Sequence, residues 1–218
     1  MISERPADIL SLILITDRTL CKRPLLETVK SALKGGVKAV QLREKGLATR
    51  ELYTLANELR KMTSDFGAGL FINVRVDIAL AVDADGVHLG WQSMPVSVVR
   101  GLLGVKKLIG VSTHNRLEAL QAWNDGADYI TFGPVFYTPS KVGLLDPVGV
   151  DALRGLKDEV HAPIVALGGI HERNVEAVLE SGVEGIAVIS SILSADDAEK
   201  ASRGLFDKIM KHRPGFFT

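Results

Sequence analysis

Eight short apolar runs punctuate this chain, at residues 12–15, 37–42, 70–73, 86–89, 108–112, 129–133, 164–168 and 186–190. Runs rich in β-branched residues and apolar almost throughout fit strands covered on both faces, as in a parallel sheet. Between them, residues 51–62 (ELYTLANELRKM) and 174–181 (NVEAVLES) space apolar side chains three and four apart, the pattern of a helix with one buried stripe. Repeated strand–helix units without a linker leave two architectures, a closed barrel or an open doubly wound sheet. Eight units, with polar residues at nearly every strand end, predict a single (β/α)8 TIM barrel with parallel strands over residues 1–218. The doubly wound sheet is the alternative.

A local pattern recurs where helices should pass into strands: Gly35-Gly-Val-Lys-Ala-Val40, Asp85-Gly-Val-His-Leu89, Gly126-Ala-Asp-Tyr-Ile130 and Gly182-Val-Glu-Gly-Ile186. Glycine at such a point suits the left-handed residue that ends a helix.

Charge excludes one class of partner. Lys plus Arg and Asp plus Glu both number 26, so the formal net charge is zero. A general nucleic-acid binder needs surplus cations, so no nucleic-acid partner is expected. No apolar stretch approaches ~20 residues, so no membrane span is expected. Residues 1–10 (MISERPADIL) place Glu and Asp ahead of any apolar run and do not read as a secretory leader. The single cysteine, Cys21, cannot form an internal disulfide, which fits a reducing cytoplasm.

Active sites of such barrels lie at the C-terminal strand ends. After the second run, Gln41, Arg43 and Lys45 alternate onto one side of an extended chain and could clamp a phosphate or diphosphate; a solvated charged loop is the competing reading. The third run ends in Asn73, a neutral donor and acceptor, with Arg75 and Asp77 expected to pair with neighbouring segments. The fifth ends in Ser112-Thr113-His114-Asn115. Thr113 and Asn115 are expected to cap the next helix, and His114 is a candidate acid or base.

The sixth run leads into a long loop carrying Thr138, Ser140 and Lys141, suited to a phosphate-rich ligand. After the seventh run come Gly168 and Gly169, and after the eighth Ile189, Ser190 and Ser191. Glycines and a short helix start in these two places form the usual phosphate cradle of a barrel. His88, at the end of the fourth run, reads as structural, and Trp91 as a cover for the barrel mouth. The other histidines have no metal-cluster spacing.

The order of these motifs, Gln41-Leu-Arg-Glu-Lys45, Ile72-Asn-x-Arg-Val-Asp77, Gly86-Val-His-Leu-Gly90, Gly110-Val-Ser-Thr-His114, Phe132-Gly-Pro-Val-Phe136, Thr138-x-Ser-Lys141, Gly168-Gly-Ile170 and Ile189-Ser190, resembles the thiamine-phosphate synthase family and its relatives the thiazole tautomerases. The resemblance implies an enzyme of thiamine biosynthesis that joins hydroxymethylpyrimidine diphosphate to a thiazole phosphate and releases pyrophosphate. It implies that Gln41, Arg43, Lys45 and Asn73 bind the pyrimidine diphosphate. Ser112 and Lys141 would steady the departing pyrophosphate. Thr138 and Ser140 would touch the thiazole side, with Gly168, Gly169, Ile189 and Ser190 around its phosphate. It also allows a homodimer.

At two positions the chain departs from the family. Val74 and Ser93 stand where the synthases carry Mg²⁺-binding aspartates. Any Mg²⁺ would then be weakly held, since the ion prefers carboxylates plus phosphate oxygens. The same loss suits a metal-free tautomerase acting on a thiazole carboxylate phosphate, with His114 as its acid or base. A non-catalytic phosphate binder of the same pathway is the third alternative.

Overall fold

The computed structural model describes residues 6–138, 143 and 145–213. Eight parallel strands close into a barrel in chain order. They are β1 (Leu12–Ile15), β2 (Ala39–Leu42), β3 (Gly69–Asn73), β4 (Gly86–Leu89), β5 (Leu108–Thr113), β6 (Tyr129–Phe132), β7 (Ile164–Leu167) and β8 (Gly185–Val188). β1 pairs with β8 through Leu12↔Ile186 and Ile13↔Ala187, which removes every sheet edge and excludes the open doubly wound alternative.

Helix α1 (Pro6–Ile9) precedes the barrel, and α2 (Leu25–Lys34), α3 (Thr49–Asp65), α4 (Val76–Ala81), α5 (Val96–Leu103), α6 (Arg116–Asn124), α7 (Gly149–Lys157) and α8 (Val175–Leu179) follow successive strands. The short α9 (Ser190–Leu193) and long α10 (Ala198–His212) complete the ring.

Alternation along each strand splits the core in two. Outward residues such as Leu12, Leu14, Leu42, Leu70 and Ile72 are fully buried against helices, each worth about 1.5–3 kcal/mol of burial. Inward residues Ile13, Ile15, Ala39, Phe71, Tyr129, Val165 and Ala187 fill the cylinder, with Ile9 and Leu10 below them. The barrel is therefore packed under its mouth and carries no channel.

The recurring sequence pattern proves to be a clamp at the N-terminal rim. A residue with positive φ ends the helix before each even-numbered strand: Gly36 (110°), Asp83 (50°), Gly126 (91°) and Gly182 (83°). Two residues later, Asp85, Asp128 and Glu184 accept backbone N–H groups of the preceding strand, from Leu70 at 2.7 Å, Ile109 at 2.6 Å and Ile164 at 2.7 Å. A helix cation pairs with each: Arg60 from α3, Arg100 from α5 and Lys157 from α7. In the first unit Lys38 occupies that place, its ammonium 5.5 Å from the Phe206 ring centre.

This corrects the expected role of Gly86. It lies inside β4, where a Cβ would come 2.1 Å from the Leu108 carbonyl oxygen. Asp83 takes the helix-ending conformation instead.

Candidate active site

Parallel strands in a closed cylinder bring all their C-terminal ends to one rim. Gln41, Asn73, Ser112, Gly168 and Ser190 therefore share that rim. Ala39 and Phe71 face the barrel interior, so Gln41 and Asn73, two residues further on, face the same way. Gln41 is buried below the mouth and Asn73 is half-buried at it.

Arg43 lies just beyond β2. Its N–H donates to Thr16 Oγ1 at 2.9 Å, so the chain still follows the edge of β1. Beyond it the extended path ends: Gly46 has φ 105° and Lys45 is exposed on the turn. Glu44 accepts the Arg18 N–H at 3.2 Å, tying this turn to the one after β1. Arg75 and Asp77 pair with each other at 2.6 Å, which holds the Asp77 carboxyl below the usual carboxylate range.

Beneath the rim lies a hydrogen-bonded polar group above the apolar inner core. His88 Nε2 is 2.9 Å from Ser112 Oγ, and His88 Nδ1 is 3.1 Å from the Tyr129 hydroxyl. Thr131 Oγ1 approaches Nε2 at 3.4 Å. Full burial pushes the imidazole pKa down to about 3, so His88 is neutral across the physiological range. Burial likewise pushes the Tyr129 phenol up, so it keeps its proton. Gly110 makes room for this arrangement, because a Cβ there would sit 2.1 Å from Tyr129 Cζ.

His88 is thus structural in place yet in direct contact with a predicted site residue, a link that no pattern within β4 announces. Gly86 and Gly110, both small and facing inward with His88, were the available signal.

Thr113 does not cap α6. It is buried, and its hydroxyl donates to the Thr131 carbonyl at 2.9 Å within the β5–β6 pair. Asn115 does cap the helix, accepting the Glu118 N–H at 2.9 Å. His114 Nδ1 lies 3.0 Å from Glu118 Oε2, so its ring is engaged with the start of α6. Trp91 is 84% exposed and stands in solvent instead of covering the mouth.

The loops after β6 and β7 are stitched together. Val135 N–H donates to the Leu167 carbonyl at 2.9 Å and Phe136 N–H to Gly168 at 3.0 Å. Gly168 (φ 104°) and Gly169 (φ 64°) have left-handed backbones, and a Cβ on either would meet Pro134 Cα at 2.6 Å or the Tyr137 carbonyl at 2.5 Å. Only glycine fits both positions. Ser191 Oγ donates to the Ile170 carbonyl, which seats the start of α9, and so Ile189 and Ser190, beside this glycine turn. Thr138 is half-buried on the neighbouring loop, while Ser140 and Lys141 lie outside the described residues.

The residues at the two positions that would hold Mg²⁺ do not fit it. Val74 offers no donor. It is 41% exposed with φ 54°, its N–H bonded to the His88 carbonyl at 2.9 Å. Ser93 Oγ accepts the Gly90 N–H at 2.9 Å. Among the described residues there is no cluster of three or more His, Cys, Asp or Glu able to hold a metal ion. None of the described helices is long and apolar enough to cross a membrane.

Comparison with known proteins places these features in one family. The family model described as thiamine monophosphate synthase matches residues 12–192. A putative thiamine-phosphate synthase of Geobacter sulfurreducens is 53% identical over 196 residues, covering 89% of this chain and 92% of that one. The thiamine-phosphate synthase of Clostridium novyi is 46% identical over 195 residues, covering 89% and 96%. The solved thiamine phosphate pyrophosphorylase of Pyrococcus furiosus superposes with a TM-score of 0.89 at 41% identity, covering 96% of this chain and 100% of that one. This chain belongs to the thiamine monophosphate synthase family, transferases of thiamine biosynthesis.

Proposed function

We propose that this chain couples hydroxymethylpyrimidine diphosphate to a thiazole phosphate, forming thiamine phosphate and pyrophosphate. The observation that carries the reading is the family match over residues 12–192, laid on a barrel whose mouth holds Gln41, Asn73, Ser112 and the Gly168–Gly169 turn. In the proposed reaction the bond between the pyrimidine methylene carbon and the diphosphate oxygen breaks, and its electron pair leaves with the diphosphate. The thiazole nitrogen then gives its lone pair to the methylene cation. No proton has to move, so the barrier is governed by neutralising the leaving group.

Arg43 and Lys45 supply charge for the diphosphate, with Lys141 as a third cation, and Ser112 supplies a hydroxyl. Gln41 and Asn73 orient the pyrimidine. Thr138 and Ser140 would contact the thiazole, with Gly168, Gly169, Ile189 and Ser190 around its phosphate. Mg²⁺ would enter only on the diphosphate's own oxygens, because Val74 and Ser93 give it no carboxylate. The cytoplasm is the proposed compartment, and a homodimer the proposed assembly.

Those same two residues favour a second reading, a metal-free thiazole tautomerase with His114 as acid or base. Purified protein given both coupling substrates, with and without Mg²⁺, separates the readings. Thiamine phosphate formation supports coupling. Interconversion of thiazole carboxylate phosphate tautomers in chelator supports the second reading, and ligand binding without turnover would leave only a binder.

A further inference from the structure

Three polar side chains on three strands form one chain running up the inside of the barrel: Tyr129 on β6, His88 on β4 and Ser112 on β5. The first two are sealed from solvent, at 1% and 4% exposure, while Ser112 is half-buried at the open end. A neutral imidazole carries one proton, so one ring nitrogen donates and the other accepts. Two proton orders are available, and they have opposite consequences for Ser112.

If Nδ1 carried the proton, Tyr129 oxygen would accept it. The phenolic hydrogen would then lose its acceptor, since among the described residues the hydroxyl's hydrogen-bond partner is His88 Nδ1 and its other neighbours are the apolar inner core, with the Phe71 ring centre 5.5 Å from that of Tyr129. A buried donor left without an acceptor bears its full desolvation penalty. The Ser112 hydrogen would also be drawn down onto Nε2, leaving the serine only an acceptor face toward the mouth. If Tyr129 instead donates to Nδ1, then Nε2–H donates to Ser112 Oγ, and both the phenol and the imidazole N–H have acceptors. The Ser112 O–H is then free to point out of the cylinder.

We infer that Tyr129 and His88 are positioning residues that fix the Ser112 hydroxyl as an outward-pointing donor for an anionic ligand group at the barrel mouth. The inference rests on the coupling reading for the identity of that group, the departing diphosphate. A donor aimed in advance at developing charge lowers a barrier more than one that must reorient. Thr131, at 3.4 Å from Nε2 and in register with Ser112, is the longer and weaker neighbour, and in this order its hydroxyl gives up Nε2 as an acceptor, a smaller loss than that of the 3.1 Å phenol bond.

The test uses the full chain labelled with ¹⁵N-histidine, with the His88 signals identified by their loss in His88→Gln. The expected result is a neutral ring protonated on Nε2, unchanged from about pH 6 to about pH 8. In Tyr129→Phe the Nδ1 lone pair loses its donor while Nε2–H keeps Ser112 as acceptor, so the Nδ1 signal should shift with the proton still on Nε2. The ring should lose its anchor, and kcat for coupling should fall about 10- to 100-fold with little change in KM for the thiazole phosphate. Tyr129→Phe combined with Ser112→Ala should be no slower than Ser112→Ala alone. An Nδ1-protonated ring in the unaltered protein, or losses that multiply in the double variant, would overturn the inference. Full coupling activity in Ser112→Ala would instead remove Ser112 from the reaction. The nitrogen signals decide the proton order independently, so the two failures are distinguishable.

Discussion

The carboxylate of Asp85 accepts the backbone N–H of Leu70 at 2.7 Å while Arg60 holds the same oxygen at 2.7 Å. Both side chains are less than one-fifth exposed, so the bond is shielded from water. Asp85→Asn can turn an amide hydrogen toward Leu70 N–H and weakens the pair with Arg60. It should cost about 2 kcal/mol, which lowers the thermal midpoint by about 4–8 °C for a chain of this size. Calorimetry checks this, with Asp83→Asn as a control. Asp83 pairs with Lys107 on the open surface and should change stability little.

Val74 holds a left-handed backbone at φ 54°, a conformation that a β-branched residue adopts at a cost of about 1–2 kcal/mol. Val74→Asn should therefore raise the thermal midpoint by about 2–4 °C. Val74→Asp with Ser93→Asp should make coupling Mg²⁺-dependent and faster, read as a rate that rises with added Mg²⁺ only in the double variant. An unchanged Mg²⁺ response would argue against these two positions as determinants of metal binding.

Gly168→Ala and Gly169→Ala each force a Cβ into backbone that has no room for it, at 2.6 Å from Pro134 Cα and 2.5 Å from the Tyr137 carbonyl. The expected outcome is at least about a 10-fold rise in KM for the thiazole phosphate. Binding of the pyrimidine diphosphate, which the proposed reading assigns to Gln41, Arg43, Lys45 and Asn73, should change far less. Steady-state kinetics with each substrate varied in turn measures the asymmetry.

His88 gives the fold an acid-sensitive point. Its pKa is 6.5 as a free side chain and about 3 in the barrel, so between these values the unfolded chain binds a proton that the folded one refuses. Stability is complete above about pH 6.5 and is lost as the pH falls, by up to about 1.4 kcal/mol per pH unit. Asp77 and Asp83, whose pKa values are lowered, add their own losses at lower pH. His88→Gln should flatten the curve between about pH 4 and 6, seen as a smaller drop in midpoint relative to the parent protein.

Strand positions were legible because parallel strands buried on both faces are apolar almost throughout. The runs at 12–15 and 86–89 coincide with β1 and β4. The run at 37–42 starts early because the Val37 N–H is used in closing α2, on the Ala32 carbonyl at 3.2 Å, and β2 begins at Ala39. β5 reaches Thr113 because that side chain bonds across to β6. The rim residues Gln41, Asn73 and Ser112 could be read from the alternation alone. What the sequence hid was everything that depends on register between strands. Gly110 lies opposite Tyr129, and His88 opposite Gly110, and no local pattern in one strand announces a ring crossing to another. The alignment of the repeated helix ends was obscured for the same reason, since Asp83 does in one unit what glycine does in the other three.

The acid clamps of β3, β5 and β7 all lie at the end of the cylinder remote from the candidate site. Fastening and chemistry are therefore handled at opposite poles. A change of side chain at the mouth leaves these fastenings untouched. Substitutions at Val74 or Ser93 should therefore be tolerated by the scaffold, because neither residue takes part in the clamps.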